Sequence, residues 1–157
     1  MHLLAALALT AASFVHVSGD LISYDPRVPE GARATVTSIP FGGSTIVALK
    51  TTGLLPNREY GAHAHVNACG PKPADAGPHY QNVQGGATDP KFANPQNEIW
   101  LDFTTDDKGR GISYTKVKWQ FKERHANAVV IHEEHTHTGE GHAGTAGARI
   151  GCLTVRF

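Results

Sequence analysis

The stretch Ala32-Arg33-Ala34-Thr35-Val36-Thr37-Ser38, followed by Pro40-Phe41-Gly42-Gly43 and resumed from Ser44 to Thr51, decides the fold class. The first segment alternates as a half-buried strand does. A proline and two glycines then mark a turn, and a second strand-like segment follows. The same grammar extends outward. Gly53 and Leu55-Pro56-Asn57 close the second segment, and Glu59 to Val66 reads as a third. Glu98-Ile99-Trp100-Leu101-Asp102-Phe103-Thr104 alternates strictly, with Ile99, Leu101 and Phe103 on one face. Asp106-Asp107-Lys108-Gly109 predicts a hairpin turn, with the returning strand from Ile112 to Phe121. Ala128 to His132 and Ile150 to Val155 complete the series. Long runs at helical spacing are missing, and the chain carries 17 glycines and 9 prolines. The expectation is an all-β protein: a Greek-key sandwich or barrel of about eight strands with two long loops, 67–97 and 133–148. Loops of that length in a compact domain are usually functional or tied down.

With 157 residues the chain is long enough for one domain with a sizeable core. Its formal net charge is zero, which argues against a nucleic-acid footprint. Residues 1–18 read as a secretory leader, with a Leu/Ala core and small residues at Thr10-Ala11-Ala12 as a cleavage site. A basic start is absent, since only His2 precedes the leucines, and the bland alternative is a buried N-terminal element. The run is shorter than the roughly 20 apolar residues a membrane-spanning helix needs. The expectation is therefore a single mature domain, 19–157, secreted or extracytoplasmic, without a membrane span and with no oligomeric state fixed by the sequence. Cys69 and Cys152 fit export, where such a pair is usually a disulfide. Two separate buried thiols are the alternative; metal ligation by the cysteines fits less well, because no CxxC pattern exists.

The chemistry lies in the histidines. Of ten, eight follow position 62. His63 and His65 are two apart in Gly61-Ala62-His63-Ala64-His65, so on a strand they share a face. His79 arrives after the Gly77-Pro78 turn, and His132 ends the apolar run Val129-Val130-Ile131. Singly, each could be an ordinary surface or packing histidine. Together they form a candidate metal site, and four imidazoles suit copper well, then zinc or nickel. His132-Glu133-Glu134-His135 is not a zinc-protease motif, because that chemistry needs histidines four apart on a helix and residue 136 is Thr. His135 and His137 form a second pair at two-residue spacing, either extra ligands, metal-capture residues or a surface pair. His142 lies in the same Gly-rich loop, and His125 has no distinguishing context.

Over about residues 30–157 the chain resembles the copper/zinc superoxide dismutases. The resemblance rests on Gly61 to His65, Cys69, Ala76-Gly77-Pro78-His79-Tyr80, Val130-Ile131-His132-Glu133, and Gly144-Thr145-Ala146-Gly147-Ala148-Arg149-Ile150-Gly151-Cys152, in that order. It implies a Greek-key sandwich, copper ligation by His63, His65, His79 and His132, and a disulfide between Cys69 and Cys152. It also implies that Arg149 attracts and orients an anionic substrate, superoxide. The bland reading of Arg149 is a surface arginine.

One departure bears on the cofactor. In that family the residue at His79 bridges copper to zinc, and the following loop supplies further ligands. Here no histidine lies between His79 and Trp100, and Asp89 and Glu98 are the only carboxylates there. A zinc site needs about four ligands, so the expectation is one copper and no zinc. The loop from His132 to Arg149 also looks short, which predicts an open site. Without zinc, another group must fix the His79 ring; Glu98 is the expected partner and Asp102 the runner-up, against the reading of Glu98 as an exposed strand-edge charge. The functional expectation is disproportionation of superoxide. The alternative is an extracytoplasmic protein that buffers or delivers copper. Arg149 weighs against the alternative, because a cation beside a metal cation hinders retention and helps an anionic substrate.

Overall fold

The computed structural model describes residues 12–157. Nine strands form two antiparallel sheets: β1 (Val15–Asp20), β2 (Ile22–Ser23), β3 (Arg33–Phe41), β4 (Ser44–Thr52), β5 (Glu59–His65), β6 (Phe103–Thr104), β7 (Gly111–Val117), β8 (Ala128–His132) and β9 (Arg149–Thr154). One sheet runs β1-β3-β4-β7 and the other β2-β9-β8-β5-β6, a Greek-key sandwich. Among the described residues the only helical segment is a 3-10 turn, Pro73–Ala76, and no helix is long and apolar enough to cross a membrane.

The two sheets differ in burial because they differ in cover. In β3, Ala34, Val36 and Ser38 point inward while their neighbours face out, and β4 alternates likewise through Val47 and Leu49. β5 and β8 are buried along almost their whole length. Their inward positions, Tyr60, Ala62, Ala64, Val129 and Ile131, join the common core. Their outward positions lie beneath loops, where Ala128, Val130 and Cys152 form a small second cluster with Ala76, packed by Tyr24 and Cys69. His63, His65 and His132 share the outward parity, so the outer face of this sheet carries the histidines. Gly61 lets a loop lie down there: a Cβ would meet the Glu134 carbonyl at 2.4 Å and the Ala146 Cβ at 2.8 Å.

Several sequence expectations change in detail. The strand expected over 98–104 is continuous only at Phe103–Thr104. Upstream it still runs beside β5, through Leu101 N–H to Ala62 C=O at 2.8 Å and Ala64 N–H to Ile99 C=O at 3.2 Å. The Ala62 N–H turns to the Asp102 carboxylate at 3.3 Å, so a side chain interrupts the ladder. The tight turn at Asp106–Gly109 forms, but it is not a hairpin. It links β6, paired with β5, to β7, paired with β4 in the other sheet. β7 ends at Val117 because Trp119 and Phe121 leave the ladder to pack on Tyr80, at 5.9 and 5.0 Å between ring centroids.

The expected leader falls mainly on residues 1–11, which lie outside the described residues. Val15–Asp20 is strand β1, in register with β3 over six pairs. A cut near Thr10-Ala11-Ala12 leaves β1 whole, whereas one at residue 18 removes most of it.

Candidate metal centre

Each imidazole reaches one point from a different element. His63 and His65 alternate with core-facing alanines on β5, and His132 comes from the end of β8, opposite Gly61. His79 follows the 3-10 turn and makes a single bridge with His65. The segment before it is held by the Cys69–Cys152 disulfide, which ties the loop to β9. One ring nitrogen from each of the four histidines lies within 4.8 Å of the others, and three of the four residues are buried.

Hydrogen bonding fixes which nitrogen faces inward. His65 Nδ1 is 2.8 Å from the Gly77 carbonyl, which only accepts, so Nδ1 carries the proton and Nε2 is bare. The Thr136 hydroxyl donates to Asp102 at 2.7 Å, so its oxygen accepts from His63 Nε2 at 2.6 Å. His63 Nδ1 is then bare, buried and without a hydrogen-bond partner. His79 Nδ1 lies 2.8 Å from Glu98, leaving its Nε2 for the cluster. His132 Nε2 faces His65 Nε2 at 3.3 Å. His132 Nδ1 has no partner in hydrogen-bond geometry, although the Gly147 carbonyl is near enough to favour the protonated ring.

Orphaned buried acceptors are rare and destabilising. Four ring nitrogens within 4.8 Å of one another, with buried His63 Nδ1 left without a partner, have a common explanation in a bound cation. Burial and mutual repulsion push the His63 and His65 rings well below the ordinary histidine range, and burial with the neighbouring His79 brings His132 down to about 3. Neutral imidazoles are the form that ligates a metal. The donor set therefore fits a metal that accepts nitrogen ligands.

Glu98 is buried to 1 % exposure and accepts three N–H groups: His79 Nδ1, Trp100 Nε1 at 2.7 Å and Gln81 Nε2 at 2.9 Å. The Gly85 N–H donates to Gln81 Oε1 at 2.9 Å, which fixes the amide so that it donates to Glu98. Asp102 does not reach His79. It lies 3.9 Å from His63 Nε2, with Thr136 between them. Trp100, Gln81 and Thr136 are site residues that the sequence reading did not single out. Trp100 was legible, being two residues from Glu98 on an alternating segment and hence on its face. Thr136 was noticed only as the residue that breaks a helical zinc motif.

Arg149 opens β9 and pairs with His132 across the ladder. Its guanidinium donates to the Pro73 carbonyl at 3.2 Å and, with His79, His132 and Glu98, lines a cavity of about 380 Å³. Burial pulls it below its ordinary value, yet an arginine remains cationic. The remaining histidines stay outside the cluster. His135 Nε2 is 3.0 Å from the Phe103 carbonyl, His137 lies 3.7 Å from Glu134, and His142 is exposed. His125 is bound to the Phe157 carbonyl. Among the described residues no second group of three or more such side chains is suitably placed for a metal.

No protein-family model matches the chain, and no curated protein matches it. Solved structures do. The clock protein EA4 aligns with a TM-score of 0.67 over 99 % of this chain and 99 % of its own, at 19 % identity. A double mutant of a SOD-like protein from Bacillus subtilis aligns with a TM-score of 0.63 over 91 % of this chain and 99 % of its own, at 18 % identity. At these identities the likeness is one of fold. The chain has the SOD-like β-sandwich, with a disulfide and a buried histidine cluster able to hold a metal.

Proposed function

We propose that this protein is a copper-dependent superoxide dismutase that works with one copper and no zinc. The observation that carries the reading is the convergence of four imidazole nitrogens within 4.8 Å of one another, at a cavity that His79, His132 and Arg149 line. Imidazole supports both oxidation states of copper, and an anion-attracting cation at the mouth suits a small anionic substrate. The ring nitrogen of His79 that a zinc ion would take is engaged by Glu98.

His63, His65, His79 and His132 would hold the copper, which would supply one-electron chemistry for turning two superoxide ions and two protons into oxygen and hydrogen peroxide. Arg149 draws the anion in and orients it. His79 keeps its Nδ1 proton on Glu98, so Nε2 is the atom this ring offers to the metal. Glu98 holds the ring's orientation, with Trp100 and Gln81 fixing the carboxylate in turn. Cys69–Cys152 holds the segment whose Pro73 carbonyl positions Arg149. The disulfide and the leader-like start favour an extracytoplasmic setting.

Superoxide decay after pulse radiolysis tests the reading on protein loaded with one copper. Near-diffusional catalysis is expected. His132→Ala abolishes it, and Arg149→Ala or added salt lowers the rate by about 10- to 1000-fold. Tight copper binding without catalysis would transfer the protein to copper buffering or delivery.

A further inference from the structure

Seven large apolar side chains are exposed among the described residues, and five of them, Phe14, Ile39, Phe41, Ile112 and Tyr114, lie on one face. It is the outward face of the β1-β3-β4-β7 sheet. Phe41, Ile112 and Tyr114 are 70 %, 66 % and 79 % exposed. Register sets Ile39 beside Ile46 and Tyr114 beside Ala48, so the apolar positions adjoin. Phe14 precedes β1 by one residue and stacks on outward-facing His16 at 6.5 Å. A patch of this kind marks an interaction surface more often than isolated exposed residues do.

Charge narrows the partner. The only Asp, Glu, Lys or Arg residues on these four strands are Asp20, Arg33, Lys50 and Lys116. Asp20 is bound to Arg33. Lys50 lies between Thr35 and Ile112, and Lys116 faces Ile46, so neither meets an acid across the sheet. The face is therefore cationic on a chain whose formal net charge is zero. A second copy seated on the same face would bring lysines against a surface with no free acid. An anionic bilayer surface offers phosphates to the lysines and a headgroup boundary to the aromatic side chains.

We infer that this sheet face docks peripherally on membranes bearing anionic phospholipids. Lys50 and Lys116 rest on lipid phosphates, and Phe41, Ile112 and Tyr114 enter the headgroup boundary. His63, His65 and His132 project from the far side of the other sheet, so docking leaves the metal centre facing the aqueous phase. The inference is independent of what that centre does.

The test is co-sedimentation of the full chain with phosphatidylcholine vesicles, with and without phosphatidylglycerol. Binding is expected only with phosphatidylglycerol and weakens with salt. Lys50→Gln with Lys116→Gln lowers the partition coefficient roughly 30-fold, at about fivefold per charge. Phe41→Ser with Tyr114→Ser weakens it comparably while the circular dichroism spectrum and metal content stay unchanged. Absence of binding overturns the inference. So does binding that survives both double variants, which would assign it to the apolar residues 3–12 instead. A concentration-dependent dimer abolished by Phe41→Ser with Tyr114→Ser would assign the face to a second copy.

Discussion

Glu98→Gln removes one charge and almost no volume, so its effects isolate what the carboxylate does for His79. The two carboxylate oxygens accept from His79, Trp100 and Gln81 at 2.8, 2.7 and 2.9 Å. A glutamine can satisfy His79 and Trp100 with its carbonyl oxygen, but its NH2 then faces the Gln81 NH2. Flipping the amide relieves Gln81 and leaves two donors facing NH2 instead. Gln81 cannot adapt freely, because its own carbonyl oxygen accepts from Gly85. At least one buried donor loses its acceptor in either orientation, a loss of about 1–3 kcal/mol. The His79 ring also loses its anionic partner, and disruption of such a contact lowers metal affinity about 10- to 100-fold. The assay is copper titration against a competing chelator, with the electron paramagnetic resonance spectrum and the dismutation rate recorded on the same samples. Weaker binding, an altered spectrum and slower turnover are expected. Unchanged affinity, spectrum and turnover would refute the assignment of Glu98 to the His79 ring.

Thr136→Val keeps shape but removes the oxygen between His63 and Asp102; about tenfold weaker copper binding is expected, with recovery in Thr136→Ser. A valine variant with the parent's affinity and spectrum rules out the bridge. Cys69→Ser with Cys152→Ser opens a loop of 83 residues, which chain entropy values at about 4.5 kcal/mol. Urea unfolding measures it, and an unchanged midpoint contradicts a stabilising crosslink. Without metal, the protein should lose stability as the pH falls below the unfolded-state histidine value, about 6.5. The folded rings of His63, His65 and His132 have depressed values, with His132 at about 3, so the unfolded chain binds protons first. Each such ring contributes a slope of about 1.4 kcal/mol per pH unit across that window. Melting temperatures of the metal-free protein that stay flat from about pH 7 to pH 4 would contradict it.

What the sequence disclosed was what period 2 controls. Alternation in 32–38 and 44–51 marks the sheet with one solvated face, and His63 and His65 share a face for the same reason. Period 2 does not say which sheet a strand joins. The segment at 98–104 alternates and does bury Ile99, Leu101 and Phe103, yet its ladder breaks where the Asp102 carboxylate takes the Ala62 N–H. The turn at 106–109 looks like a hairpin because local chemistry is the same whether the chain folds back or crosses between sheets. β1 was hidden because a short apolar run beside small residues reads as a leader before it reads as a buried N-terminal element.

The site divides along the same line. Residue type and spacing exposed the four histidines, because metal ligation demands that type and each lies in a distinctive local pattern. Their supports, Thr136, Trp100 and Gln81, belong to common residue types, and their roles come from contacts across 73, 2 and 17 positions of chain. Only the shortest of those contacts carries a local signature. Glu98 was accessible by a different route, a missing ligand set that left one ring without a partner. Asp102 shows the limit of that route. Chain position and residue type gave two candidate carboxylates for one ring, and the fold uses both, for different histidines. The His63–Thr136–Asp102 chain and the His79–Glu98–Trp100 group therefore hold two neighbouring rings of the cluster, 4.1 Å apart between centroids. Combining Thr136→Val with Glu98→Gln should give non-additive losses in metal affinity, because the two rings they hold are in contact.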